Sequence, residues 1–324
     1  MRLQNFERRN RVIAQQFLAA RTAAGKEARR LNFGWSNWQF GMEDLAVSAD
    51  RLSRMGVEYI ELHGNRYGAD LGYDATEVRT ILDDHGLKVS GVCGMVSPDS
   101  ELSSNRPHIT QRAIDYFRRN IDLCAEVGGT YVLFTPGAVG RPQKYDDHEF
   151  DRAADAIRIL GDHFEQAGVR AALEPVRSAE VSFGHTVDEI KRLIERIDHP
   201  AVRYICGDLY HLLAEETHMG EAIVSAGEQM VNLHMADSNR RALGEGVLDL
   251  DTVIMSLYAI GYNRADRFCT AEPLGPGGDP YPARFGNPDP AALDERVRTS
   301  VNYFREREEE VLGASPEELL GTSA

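Results

Sequence analysis

The sequence predicts a single closed (β/α)8 TIM barrel with an added N-terminal amphipathic helix and long front loops. Three observations lead there. Eight β-rich apolar runs alternate with helical patterns, as in a parallel sheet covered by helices. Eight such units over about 280 residues match the usual barrel size. The first strand and loop carry no GxGxxG, so the fingerprint of the rival open doubly wound sheet is missing.

The elements follow in chain order. Residues 1–30 hold Arg2, Arg8, Arg9, Arg11, Arg21, Lys26, Arg29 and Arg30 against Glu7 and Glu27, a local +6 in a chain of net charge −15. Phe6, Ile13, Phe17 and Ala20 recur near helical spacing, so this head reads as an amphipathic helix. Its composition resembles a mitochondrial presequence; the reading adopted is a helix that docks on an acidic surface, of this chain or of another subunit. Strands are expected at 31–36, 57–63, 88–95, 130–135, 169–174, 202–208, 230–234 and 267–272. Between them, sets such as Ile114, Phe117, Ile121, Cys124 and Ile190, Leu193, Ile194, Ile197 have helical periodicity. Asp74-x-x-Glu77 and Thr186-x-x-Glu189 read as capping boxes. The front loops at 64–73 and 273–290 are long, the second with six Pro and four Gly; such loops often serve as lids. Acidic residues close the chain (Glu306, Glu308, Glu309, Glu310, Glu317, Glu318). The expected division is a basic extension at 1–30, the barrel at 31–312 and an acidic tail at 313–324.

Composition limits the partners. Apolar residues at 42% and charged residues at 27% are ordinary for a soluble globular chain. The acidic balance argues against nucleic acid and anionic lipid, and no apolar run is long enough to span a bilayer. Cysteines at 93, 124, 206 and 269 form no CxxC; three of them lie inside apolar strand-like runs and read as small buried hydrophobes, and a reducing cytoplasm fits.

Barrel active sites lie at the C-terminal ends of the strands. Strand five ends Leu173-Glu174-Pro175, strand six Gly207-Asp208, strand seven Leu233-His234-Met235 and strand eight Ala271-Glu272-Pro273. A lone acid there is often a helix N-cap, and a lone His a hydrogen-bonded core residue. Four at the ends of consecutive strands instead suggest one divalent ion. Three carboxylates and an imidazole are a hard donor set suited to Mn²⁺, with Co²⁺ or Mg²⁺ as alternatives, rather than structural Zn²⁺.

Over residues 30–305, and most specifically 170–275, the chain resembles the sugar isomerase/epimerase group with a xylose-isomerase-like barrel, which includes ketose 3-epimerases, hydroxypyruvate isomerase and inosose dehydratase. The resemblance implies Glu174, Asp208, His234 and Glu272 as metal ligands, with Glu174 and Glu272 also the catalytic acid–base pair. It implies Glu180, His211 and Arg240 as substrate-binding residues, and a Gly244-x-Gly246-x-x-Asp249 segment of the family type. Arg241 is an equally basic rival to Arg240, and a surface salt bridge is the other reading of Arg240. His63 and Trp38 are further candidates for substrate contact; a structural His and an aromatic barrel cap are the alternatives. Trp35, Phe40 and Tyr67 are aromatic neighbours in the same regions.

The chemistry implied is proton abstraction next to the carbonyl of a keto-sugar through a metal-stabilised enediolate, giving isomerisation or epimerisation. A lyase is the alternative. The same enolate can expel a β group, as in inosose dehydratase or the catalytic subunit of C-glycoside deglycosidases acting on 3-oxo-glycosides. The added helix and front loops fit a homo-oligomer or a small partner subunit. Apurinic endonucleases of the endonuclease IV type share the barrel and the Asp-x-x-His. They require Asp-x-His where this chain reads Asp249-Leu250-Asp251, and strand three ends Gly94-Met95 without a His.

Overall fold

The computed structural model describes residues 3–24, 29–64, 72–274 and 289–321. All eight expected strands form: β1 (Asn32–Ser36), β2 (Tyr59–His63), β3 (Lys88–Cys93), β4 (Tyr131–Phe134), β5 (Arg170–Leu173), β6 (Tyr204–Asp208), β7 (Met230–Met235) and β8 (Phe268–Ala271). They pair in parallel in chain order, and β1 closes on β8 with Asn32 opposite Phe268 and Trp35 opposite Ala271. Most expected strands overran the ladder by a residue or two at one or both ends. Glu174 and Glu272 accordingly follow their strands.

Strand alternation separates two apolar layers. Tyr59, Tyr131, Leu133, Ala172, Val231 and Phe268 fill the barrel interior together with Cys93 and Cys206. Val92, Phe134, Leu173 and Leu233 face the surrounding helices. Helix α6 (Val187–Ile197) shows why those helices form. Val187, Ile190, Leu193, Ile194 and Ile197 make one buried stripe, and the Thr186 hydroxyl accepts the Glu189 N–H at its start. The Glu189 carboxylate reaches back to the His185 N–H, one residue before the cap. At the start of α3 (Ala75–Asp84), the Asp74 side chain accepts from the N–H groups of Thr76 and Glu77. All four cysteines are free and buried.

Helix α1 (Asn5–Ala24) packs along α9 (Leu250–Ala259) and touches α8 (Met219–Ala226). Ile13, Ala14 and Phe17 are buried, and the Phe17 ring meets Tyr258 edge-on. Arg9 pairs with Glu221, and the Asn10 amide donates to Asp249. The acidic surface that receives the head is therefore this chain's own. Phe6, expected in the docking stripe, is exposed, and Ala20 is only partly covered.

The acids at 306–310 are not a tail. They lie in the long helix α10 (Pro290–Gly313), and Glu308 is fully buried. Its carboxylate accepts from the Leu31 N–H and the Tyr258 hydroxyl and pairs with Arg305. The helix thus ties to the entry of β1. A short turn of helix, α11 (Pro316–Leu319), follows with Ser315 and Glu318 forming a capping box. Most of the loops expected at 64–73 and 273–290, including Tyr67, lies outside the described residues. Among the described residues no helix is long and apolar enough to cross a membrane.

Candidate metal centre and active site

The barrel ladder holds the backbone of each expected ligand. The Glu174 N–H donates to Phe134 O at 3.2 Å and the Glu272 N–H to Met235 O at 2.8 Å, so both carboxylates leave from fixed backbone just past β5 and β8. Asp208 ends β6 and also caps α7 (Leu209–Glu215). Its Oδ1 accepts the Tyr210 N–H at 2.7 Å, which leaves Oδ2 for the centre. The cap reading and the ligand reading therefore apply to different oxygens of one side chain. Between β6 and β7 the register shifts: Ile205 pairs with Met230 but Cys206 with Asn232. That irregularity turns Asn232 and His234 inward, a familiar use of bulges beside active sites.

The four side chains converge in a buried cluster. His234 Nδ1 lies 3.4 Å from Glu174 Oε1 and 3.5 Å from Glu272 Oε2, and its Nε2 lies 2.9 Å from Glu61 Oε1. Arg240 Nη2 sits 3.3 Å from Asp208 Oδ2 and 3.5 Å from Glu272 Oε2. His211 Nε2 is 3.5 Å from Asp208 Oδ2. Glu174, Asp208, His211, His234, Arg240 and Glu272 are all at most 6% exposed.

Burial and charge oppose each other here. Burial raises the Glu272 carboxyl to about 8, with Asp208 and Glu174 acting in the same direction and His234 and Arg240 only partly offsetting them. Burial also pushes Asp208 upward, yet His211, Arg240 and His234 together with the Tyr210 N–H hold it below its usual value. His234 is pushed well above the ordinary imidazole range, because Glu272 and Glu61 outweigh its burial. These directions describe acids crowded around too little positive charge.

The residues fit a divalent cation. Glu272 Oε1 and His234 Nδ1 are buried without a hydrogen-bond partner, a state that calls for explanation in a packed interior. Among the described residues, Glu174 with Asp208 and His211, and His234 with Glu61 and Glu272, present donor atoms close enough to share an ion. Cys206 also approaches Glu174 and His234, but burial drives its thiol far up. Its Sγ accepts from the Asn232 amide at 3.4 Å, and the four expected ligands are oxygen plus imidazole.

The remaining expected residues divide. Arg240, not Arg241, enters the centre; Arg241 is exposed. The glycine segment explains how. Asp237 accepts from the N–H groups of Ser238, Gly244 and Leu248, and a Cβ on Gly246 would come within 2.0 Å of Asp237 Oδ1. The loop wound on Asp237 carries Arg240 at φ 60, a left-handed backbone uncommon outside glycine. Asp249 caps α9. Glu180 is not free, since Arg177 Nε donates to it at 2.5 Å and Arg177 Nη1 to the Tyr210 hydroxyl at 2.5 Å. The Arg177 and Arg240 guanidinium groups both lie over the Tyr210 ring, 4.6 and 4.4 Å from its centroid. Trp38 packs against His63 at 4.9 Å, and the His63 N–H donates to Asn37 Oδ1. Trp35 and Phe40 stack on each other in the outer core, away from the centre. Sequence reasoning missed Glu61, Arg177 and Tyr210. The signal for Glu61 was its place two residues before His63, on the same inward face of β2.

Fold and site together define a parallel (β/α)8 barrel with a buried carboxylate–imidazole centre, a candidate metal site, at the C-terminal rim of β5 to β8. Within that class, the chain belongs to the xylose isomerase-like TIM barrel family, whose profile matches residues 49–301. It is 25% identical over 228 residues to a ketose 3-epimerase of Arthrobacter globiformis, covering 69% of this chain and 76% of that protein. It is 24% identical over 241 residues to a 3-dehydro-D-guloside 4-epimerase of Escherichia coli K12, covering 72% and 89%. The structure of a D-allulose 3-epimerase from Methylomonas sp. with D-allulose superposes with a TM-score of 0.75 at 20% identity, covering 86% of this chain and 98% of that one; at that identity the likeness speaks for the fold.

Proposed function

We propose that the protein is a divalent-metal-dependent epimerase or isomerase acting on a keto-sugar or a keto-glycoside. The observation that carries this reading is the approach of Glu174 and Glu272 to one ring nitrogen of His234 from β5 and β8, on either side of β7. Glu174, Asp208, His234 and Glu272 would hold the ion, with Mn²⁺ preferred and Co²⁺ or Mg²⁺ as alternatives. Held there, the ion would supply Lewis acidity toward the substrate carbonyl.

The chain's own residues do the rest. One of Glu174 and Glu272 takes the proton from the carbon next to the carbonyl, and the other returns a proton on the opposite face. Arg240 and His211 hold the oxygens that gain charge as the enediolate forms. Glu180 receives a hydroxyl while Arg177 keeps its carboxylate in place. Trp38 and His63 line the approach. The named relatives support both substrate classes, one being a ketose epimerase and the other an epimerase of a dehydro-glycoside.

The test is reconstitution of metal-free protein with Mn²⁺, followed by incubation with ketohexoses and 3-oxo-glycosides in D₂O. Deuterium at the carbon beside the carbonyl, with the skeleton intact, is expected. Release of an aglycone or of water would move the protein to the lyases. Neither outcome, with stoichiometric metal bound, would remove both readings.

A further inference from the structure

Glu61 has no part in the proton transfers, yet it is fully buried beneath the centre. Three polar groups converge on it from other strands. The Tyr131 hydroxyl donates to Oε2 at 2.7 Å, the Asn232 amide to Oε2 at 3.2 Å, and His234 Nε2 meets Oε1 at 2.9 Å. The Asn232 amide is itself pinned by the Thr270 hydroxyl, which donates to Oδ1 at 2.7 Å. Gly91 completes the arrangement by omission, because a Cβ there would press within 2.5 Å of the Tyr131 ring. Residues of β2, β4, β7 and β8 thus form a belt one layer below the ligands.

We propose that Glu61 is a positioning residue, which fixes His234 with the hydrogen on Nε2 and the Nδ1 lone pair turned toward Glu174 and Glu272. The inference rests on the metal-dependent reading above. A carboxylate can only accept, so Nε2 must carry the hydrogen, and Nδ1 is the atom left to face an ion. Outer partners of this kind set both ring orientation and tautomer in metal sites. Burial, then the nearby Glu61 charge, pushes the Tyr131 hydroxyl well above its usual range, so it stays a donor.

Glu61→Gln separates orientation from mere bulk. Its oxygen must face the two donors that meet Oε2, which turns its NH₂ toward His234 Nε2. Nε2 then has to accept, and the hydrogen moves to Nδ1, where an ion must bind. Mn²⁺ affinity, read by electron paramagnetic resonance of free Mn²⁺, is expected to fall roughly 10- to 100-fold, while thermal unfolding of the metal-free protein changes little. The unaltered protein offers a second readout that does not depend on the variant folding. In Mg²⁺-loaded protein labelled at its histidine nitrogens, His234 should show a protonated Nε2 and a bare Nδ1, the resonance being assigned by its loss in His234→Gln. Unchanged Mn²⁺ affinity in Glu61→Gln, or a protonated Nδ1 in the loaded wild type, would overturn the positioning role alone. Wild-type protein that binds no divalent ion would instead overturn the metal-dependent reading and this role with it.

Discussion

Arg240 holds its guanidinium 3.3 Å from the Asp208 carboxylate, deep in a barrel rim that is otherwise rich in acids. It also neighbours Glu272, and its positive charge faces both carboxylates. Its removal has two separable consequences. A substrate contact disappears, and the remaining carboxylates face an incoming cation without a competitor. Arg240→Ala should therefore bind Mn²⁺ at least as tightly as wild type while KM rises roughly 10- to 100-fold, the loss of a hydrogen bond to a charged group. Calorimetric titration and steady-state kinetics read the two quantities. Parallel weakening of both would mark Arg240 as a structural residue only.

Gly246 controls the same arginine at one remove. Gly246→Ala drives a Cβ to within 2.0 Å of Asp237 Oδ1, the oxygen that accepts the Ser238 and Leu248 N–H groups. The loop must rewind, and the left-handed backbone at Arg240 loses its support. Overpacking of this kind costs about 1–3 kcal/mol. We expect a lower unfolding midpoint in denaturant and a raised KM, with metal affinity near wild type because the four ligands lie on other backbone. A KM unchanged from wild type would show that Arg240 is held by something other than this loop.

Glu174→Gln and Glu272→Gln keep size and backbone hydrogen bonds but remove the ability to accept a proton. With metal at saturation, each should lower turnover by about 10²- to 10⁴-fold. Wash-in of deuterium should fall with it, since exchange and turnover share the abstraction step. Activity within tenfold of wild type in either variant would take that residue out of the acid–base pair.

The strands were legible because buried parallel strands read as apolar runs, and the four rim residues because each puts a charge or imidazole where such a run ends. Asp208 shows that a capping residue and a candidate ligand need not be alternatives. Glu61 was not legible. It sits inside its run rather than at the end, and its partner His234 lies 173 residues away, so the two-residue spacing to His63 is its one local mark and does not single it out. The basic head was legible as a helix, but its target was not, because Glu221 and Asp249 become one surface only when α8 and α9 pack side by side. Glu308 failed for the opposite reason. In an acidic stretch it looks like its neighbours, and only the long-range contact with Leu31 and Tyr258 separates it from a solvated charge.

The docked head makes the last prediction, which concerns acid. His218 caps α8: its Nδ1 accepts the Glu221 N–H at 3.2 Å, and its Nε2 lies 2.7 Å from Asn10 Oδ1 on α1. The neutral ring with hydrogen on Nε2 serves both contacts, whereas a second proton on Nδ1 would break the cap. Burial lowers the His218 pKa below its ordinary 6.5, with Arg9 in the same direction and Glu221 and Asp249 opposing. A group depressed in the folded state contributes fully above its unfolded value and loses that contribution as pH falls below it. Acidification from about pH 6.5 downward should therefore loosen the first half of α1 while the barrel stays folded. Hydrogen exchange, corrected for its intrinsic pH dependence, should show protection over residues 5–14 falling in this window. His218→Asn, which can still cap but does not titrate, should abolish the change. Equal acid sensitivity in wild type and variant would place the titrating group elsewhere.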